Sequence, residues 1–320
     1  MLSKVTLANT DLSVSRLCYG TNMLGWSIDQ DRSNAILDKF LELGGNFVDT
    51  ARSYGDWMPD APKGASERAI GAWLKGKKRE DVIVATKGGH FDMRAGDYRN
   101  RVNPTDIGSD LNESLDHLGV DTIDLYWVHM DNPETPVAEL VDFLNDAKAA
   151  GKIRYFGASN WSDARVLEAN DYAKANGKAG FVAVEPFWGL AKPNEEAATA
   201  QGYQMYFEDH GGKLKDADLA IIPYCSQSRG YFAFAEKGEV PEHLQGFYDN
   251  PVNKDRLAAA KDVAAKHGVS VSDVALAYLL NQPQQVIPIF GASSPARIEE
   301  AVKAASLTLS ADEVAALKIG

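Results

Sequence analysis

Short apolar runs, each bounded by turn residues, recur along this chain with amphipathic segments of helical period between them. The runs fall at residues 17–20, 47–49, 82–86, 123–128, 153–157, 181–184, 220–224 and 286–289. Most are continuously apolar and rich in β-branched or aromatic residues, as strands buried on both faces of a parallel sheet must be. Helical periodicity marks the intervening segments, among them 31–43, 66–75, 105–118, 136–149 and 163–176. Gly44-Gly45, Gly119 and Gly151 each end such a segment and lead into a strand within a few residues. Glycine supplies the left-handed cap there at little steric cost. A hairpin pattern, KVTL then LSVS joined through Ala8-Asn9-Thr10-Asp11, precedes the first run.

Eight strand signals alternating with helices, without a break in composition, predict an α/β fold. The expected architecture is one (β/α)8 barrel domain over 1–320, with an N-terminal β-hairpin and long βα loops over the C-terminal mouth. An open doubly wound sheet is the competing arrangement. The 27 glycines include no pair spaced Gly-x-Gly, the spacing by which a doubly wound fold brings backbone against a pyrophosphate. Any dinucleotide here must be held another way. The connections 190–218 and 225–251 carry Tyr203, Tyr206, Phe207, Tyr231, Phe232 and Phe234, rings expected mostly to pack the loops onto the barrel rim.

Composition narrows the functional classes. The chain is 45% hydrophobic and 24% charged, as soluble globular proteins are. Its net charge of −12 speaks against a nucleic-acid partner, although a local positive pocket could still hold an anionic cofactor. Cys18 and Cys225 are too few for a disulfide framework or a zinc cluster and read as buried thiols. No leader pattern and no apolar stretch near the ~18 residues of a membrane span is visible, so a cytoplasmic protein without a membrane partner is expected. Oligomeric state is left open.

Two motifs are decoys. Gly71-Ala72-Trp73-Leu74-Lys75-Gly76-Lys77 has the spacing of a phosphate loop, but its glycines close a helical segment, and Lys78 replaces the hydroxyl residue that would bind magnesium. The six histidines show no metal-ligand spacing. The cations at 75–79 read as a solvated helix end.

The chemistry concentrates at strand ends. Asp49, Lys87 and His129 each stand where an apolar run stops, with Tyr54 a few residues beyond Asp49. In a barrel those ends converge on one mouth. A carbonyl accepts hydride well only when its oxygen is protonated or polarised. Tyrosine can donate that proton, and a nearby ammonium would lower its ordinary pKa near ~10. Lys87 would supply the charge, Asp49 would hold Lys87 protonated, and a neutral His129 would orient the carbonyl oxygen. Taken singly, each of these residues has an ordinary structural role. Together, at successive strand ends, they form a proton-donating constellation.

The stretch DTARSYG at 49–55, ATKGG at 85–89, VHMD at 128–131 and the long run 124–160 resemble the aldo-keto reductase superfamily. The similarity extends from residue 12 to the segment after Gly291. It implies a (β/α)8 barrel that binds NADPH across its mouth and reduces aldehydes or ketones, sugar-derived carbonyls included, to alcohols. NADH remains an alternative cofactor, and the partner implied is a small-molecule carbonyl compound. By the same resemblance the catalytic tetrad is Asp49, Tyr54, Lys87 and His129, with Tyr54 the proton donor. Ser159 and Asn160 match the pair that holds the nicotinamide carboxamide, Tyr224 matches the aromatic under the nicotinamide ring, and Cys225 and Ser226 follow it. Gly20, Thr21 and Asn22 match the loop bordering the cofactor. Trp26 and Trp57 match substrate-pocket residues, and Ser293, Arg297 and Glu300 lie in the segment that grips the adenosine 2′-phosphate. The local sequence agrees, since Ser294-Pro295 reads as an N-cap followed by proline at the first helical position.

Three positions depart from the pattern. Glu185 stands where a glutamine usually completes the carboxamide site, Gly291 where some branches carry a lysine, and Ala301 where an asparagine often meets adenine. A carboxylate accepts from the amide NH2 but donates to its oxygen only when protonated. Two other functions use the same residues: a Schiff-base lyase acting through Lys87, and a cofactor-sensing regulatory subunit with little turnover.

Overall fold

The computed structural model describes residues 1–200, 214 and 217–318. Strands β1 (Lys4–Thr6) and β2 (Ser13–Ser15) form the antiparallel hairpin. Eight parallel strands follow: β3 (Cys18–Gly20), β4 (Phe47–Asp49), β5 (Ile83–Gly88), β6 (Ile123–Val128), β7 (Ile153–Ser159), β8 (Ala183–Glu185), β9 (Ala220–Ile221) and β10 (Ile289–Phe290). They lie side by side in the order β10-β3-β4-β5-β6-β7-β8-β9. The ring closes where the Ile221 amide donates to Gln285 O and the Ile287 amide donates to Ile221 O, each at 2.9 Å. This is the (β/α)8 barrel.

β9 and β10 are shorter than the apolar runs that announce them. Pro223 and Pro288 interrupt those runs, and a residue without an N–H ends a ladder. Both prolines still serve as acceptors, Pro223 O from the Ile289 amide and Pro288 O from the Cys18 amide. The helices begin where short polar side chains can hold free amides. Asn103, Ser162, Asn250 and Ser294 each cap the helix that follows, and three of these caps precede a proline. Gly119 takes the left-handed conformation after Pro104–Leu118. Gly71 lies inside the helix Ala65–Leu74 and Gly76 just past it, which removes the phosphate-loop reading. Of the cations at 75–79, Arg79 is more than a solvated end: it donates to the buried Asp124 carboxylate at 2.6 Å.

Side-chain alternation makes two cores. Outward-facing strand residues pack with the helices in the larger one. Inward-facing residues, among them Phe47, Ile83, Ala85, Leu125, Trp127, Ala183 and Ile289, fill the barrel. Leu7, Leu12 and Val14 of the hairpin join this inner group and close the N-terminal end. Gly157 leaves the space that Trp127 occupies, since a Cβ there would lie 2.3 Å from the indole. Continuing each inward series by two residues leads to the mouth: Phe47 to Asp49, Ala85 to Lys87, Trp127 to His129, Ala183 to Glu185. These four polar residues therefore sit on top of a packed apolar plug.

Candidate active site

Lys87 is the centre of the site. Its ammonium is buried, donates to Asp49 Oδ2 and to Thr50 O, the latter at 3.0 Å, and lies 3.2 Å from Glu185 Oε2. The second Asp49 oxygen accepts from the Trp127 indole at 3.2 Å. Burial pulls the Lys87 ammonium down, but Asp49, then Glu185 and Tyr54, outweigh it and hold it protonated. Burial pushes both carboxyls up, Glu185 much the further. Asp49 has the aligned ammonium and the indole to offset that push, whereas Glu185 Oε2 makes no aligned hydrogen bond among the described residues.

The Tyr54 ring stands over this charge, its centroid 5.4 Å from Lys87 Nζ. Burial raises the Tyr54 phenol, and Lys87 opposes the rise without reversing it. The ammonium acts in the expected direction, but the resting phenol is firmly protonated and not net acidified. His129 faces Tyr54 at a ring separation of 6.2 Å. Burial, then His90 and Lys87, depress its imidazole well below the usual range, so the ring is neutral. Its Nδ1 is buried and has no hydrogen-bond partner among the described residues.

A second layer fixes the loops. The Arg52 amide donates to Lys87 O at 3.1 Å, while its buried guanidinium bonds Asp56 and contacts Asp110 at 3.3 Å. Asp110 accepts from both terminal nitrogens of Arg101, at 2.7 and 3.0 Å, and from the Gly89 amide at 2.8 Å. One carboxylate thus ties the Tyr54 loop to the loop after β5. Thr21 and Ser66 bond each other at 2.9 Å, and Thr21 also donates to Asp49 O. That hydroxyl is buried in the protein, while the neighbouring Asn22 is exposed.

The remaining expected residues lie around this centre. Ser159 pairs in register with Glu185 and donates to its carbonyl at 3.1 Å. Asn160, at a positive φ of 60°, donates to His129 O and accepts from the Tyr224 hydroxyl at 2.7 Å. After Tyr224 the chain is strained, with Cys225, Ser228 and Arg229 all at positive φ. Cys225 is only partly buried, unlike Cys18, because it turns out of the sheet here. Ser226 is buried and donates to Ile289 O. Trp26 and Trp57 meet edge to face at 5.7 Å beside Tyr54. Further out, Gly291 and Ser293 are exposed, and Ser294 caps the helix Pro295–Ala304 as expected. Arg297 bonds Glu300 at 2.7 Å on the surface. Tyr231 and Phe232 pack inside as rim residues, Phe234 is exposed, and Tyr203, Tyr206 and Phe207 with most of the insertion 201–218 lie outside the described residues.

Five contributors escaped the sequence reading. Trp127 sits two residues before His129, so strand alternation could have placed it under the site. His90 meets His129 in a tilted contact, ring centres 4.8 Å apart, and follows the ATKGG stretch directly. Arg52 was visible only as a lone cation between Asp49 and Asp56, and its partner Asp110 had no local signal. Arg32 reaches Ser293 O at 3.3 Å from a helix far away in sequence.

The Aldo/keto reductase family model matches residues 16–319. The chain belongs to the aldo/keto reductase family, a family of oxidoreductases. It is 28% identical to norsolorinic acid reductase stcV of Emericella nidulans, over 95% of this chain and 77% of the relative. An aryl-alcohol dehydrogenase of Pestalotiopsis microspora, GME11368, is 28% identical over 98% of this chain and 80% of its own. The aldo-keto reductase ausK of Aspergillus calidoustus is 29% identical over 95% and 78% respectively. Among the described residues, no helix is long and apolar enough to cross a membrane.

Removing the Asp110 carboxylate would take the bidentate partner from buried Arg101, one of two close carboxylates from Arg52 and the acceptor from the Gly89 amide. Asp110→Ala should therefore lower unfolding stability by roughly 3–5 kcal/mol in a urea titration. A loss below about 1 kcal/mol would show that Asp110 does not hold the two loops.

Proposed function

We propose that this protein reduces an aldehyde or ketone to an alcohol with NADPH, and that Tyr54 delivers the proton. The observation that carries the reading is the buried Lys87 ammonium, paired to Asp49 beneath the Tyr54 ring with neutral His129 across from it.

When bound, the reduced nicotinamide supplies hydride to the carbonyl carbon. The chain's own residues do the rest. His129, uncharged, offers an N–H to the carbonyl oxygen without competing for the proton. Burial keeps Tyr54 loaded with its proton at neutral pH, and the phenol gives it to the same oxygen. The phenolate left behind stands beside Lys87, whose positive charge lowers the cost of forming it. Asp49 keeps that charge in place. A Schiff-base role for Lys87 is disfavoured, because an ammonium held protonated by Asp49 is not a nucleophile.

The residues around the site fit a nicotinamide dinucleotide. Ser159, Asn160 and Glu185 present polar groups for a carboxamide, and the unaligned Glu185 oxygen is a buried atom in want of a partner. Tyr224, braced by Asn160, offers a ring face. The N-terminus of Pro295–Ala304, with Arg297 in its first turn and Arg32 against Ser293, suits a 2′-phosphate. A row of rings (Trp26, Trp57, Phe91 and Tyr98) borders the mouth and favours a flat aromatic carbonyl substrate, in line with the aryl-alcohol dehydrogenase among the relatives. NADH remains an alternative, given Gly291 and Ala301. A cofactor-sensing protein would bind NADPH without turnover, so activity on simple aldehydes separates the two readings.

Tyr54→Phe should cut kcat/KM for aldehyde reduction by at least about a hundredfold, with the cofactor Kd held within a few-fold. Persistent activity would place the donor elsewhere. Arg297→Ala should weaken NADPH by about tenfold while leaving NADH nearly unchanged. Equal losses for both cofactors would move the phosphate site.

A further inference from the structure

Two carboxyls share one ammonium at the floor of this site, and only one of them is well held. Asp49 receives Lys87 Nζ and the Trp127 indole on separate oxygens. Glu185, at the end of β8, has Oε2 3.2 Å from Lys87 Nζ but out of line with it. The other polar groups facing Glu185 are Ser159 from β7, Tyr54 from the loop after β4 and Cys18 from β3. β9 contributes only Ala220 and Ile221. With both carboxyls ionised the buried trio carries one net negative charge; with one proton added it is neutral. Because Asp49 holds the better donors, the proton belongs to Glu185.

An oxidised nicotinamide ring is a cation and a reduced one is neutral. Resting on the cofactor reading above, we propose that Glu185 selects between the two oxidation states according to its own proton. Protonated, Glu185 can donate to the carboxamide oxygen as a glutamine amide would, and it leaves the site neutral for the reduced ring. Ionised, it places uncompensated negative charge beside the ring and favours the oxidised form. Rising pH therefore tilts the site from carbonyl reduction toward alcohol oxidation. Burial lifts the Glu185 carboxyl well above the ordinary carboxylate range, which brings this change toward working pH. Linkage is reciprocal: if ionised Glu185 favours NADP+, binding NADP+ must release a proton. A glutamine in this position would show neither effect.

The test is a pair of calorimetric titrations of the purified protein, with NADP+ and with NADPH, from about pH 6 to about pH 9. Ionisation of the cofactor's own phosphates is common to both forms and cancels in the ratio of their dissociation constants. Wild type should show Kd(NADP+)/Kd(NADPH) falling by about tenfold as pH rises. NADP+ binding should also release protons, read from heats in buffers of different ionisation enthalpy. In Glu185→Gln the ratio should be flat and the proton release absent. A flat wild-type ratio without proton release overturns the proposal. So does a slope that survives in Glu185→Gln, which would assign it to Asp49, Tyr54 or Cys18. Should that variant fail to fold, Glu185→Ala takes its place, with the same flat ratio and absent proton release expected and a surviving slope again overturning the proposal. If wild type binds neither form, the cofactor reading itself falls, and this proposal with it.

Discussion

A lysine ammonium in the interior of a barrel cannot be left alone, because an unpaired buried charge would neutralise or unfold its surroundings. Lys87 is the C-terminal member of an inward-facing series that begins with Ile83 and Ala85, so its charge sits directly on the apolar plug. Asp49 on the neighbouring strand meets it, Thr50 O takes a second hydrogen bond, and Trp127 braces the Asp49 carboxylate from below. These contacts fix a positive charge at one point of a poorly solvated mouth. Tyr54 and His129 are arranged about that point: a phenol whose ring stands over it, and an imidazole that stays neutral near it.

Holding the charge still requires holding the loops that surround it. The Asp110 carboxylate joins Arg52, Arg101 and the Gly89 amide, which couples the loop bearing Tyr54 to the loop bearing His90. Thr21, Thr50 and Ser66 form a small hydroxyl network beneath the first loop. Neither group needs to touch a substrate. Both keep side chains drawn from separate strands within reach of one another, which is how binding groups on loops gain precision from a rigid scaffold.

Much of this was legible in the residues. Apolar runs with glycine-capped helices between them predicted the barrel, and Asp49, Lys87 and His129 were conspicuous only jointly, as three chemically able side chains at the ends of separate apolar runs. β9 and β10 are shorter than their apolar runs because Pro223 and Pro288 interrupt the ladder, which apolar composition does not register. Arg52 and Asp110 stayed hidden for a different reason. Their partnership joins a loop to a helix far along the chain, and no period or spacing announces such a pair. The direction of the Tyr54 shift was likewise out of reach, since burial and Lys87 act in opposition and only coordinates say which prevails. Glu185 was noticed as a departure, but its shared claim on Lys87 appears only when β4, β5 and β8 are brought together.

The decisive measurement follows absorbance at the reduced nicotinamide band in wild type and in Lys87→Met, with an aromatic aldehyde as acceptor. Wild type should oxidise NADPH steadily, and the variant should fall by at least about a hundredfold with an unchanged circular dichroism spectrum. Turnover that survives the loss of the ammonium, or a wild-type protein that never oxidises NADPH, would contradict the proposed mechanism.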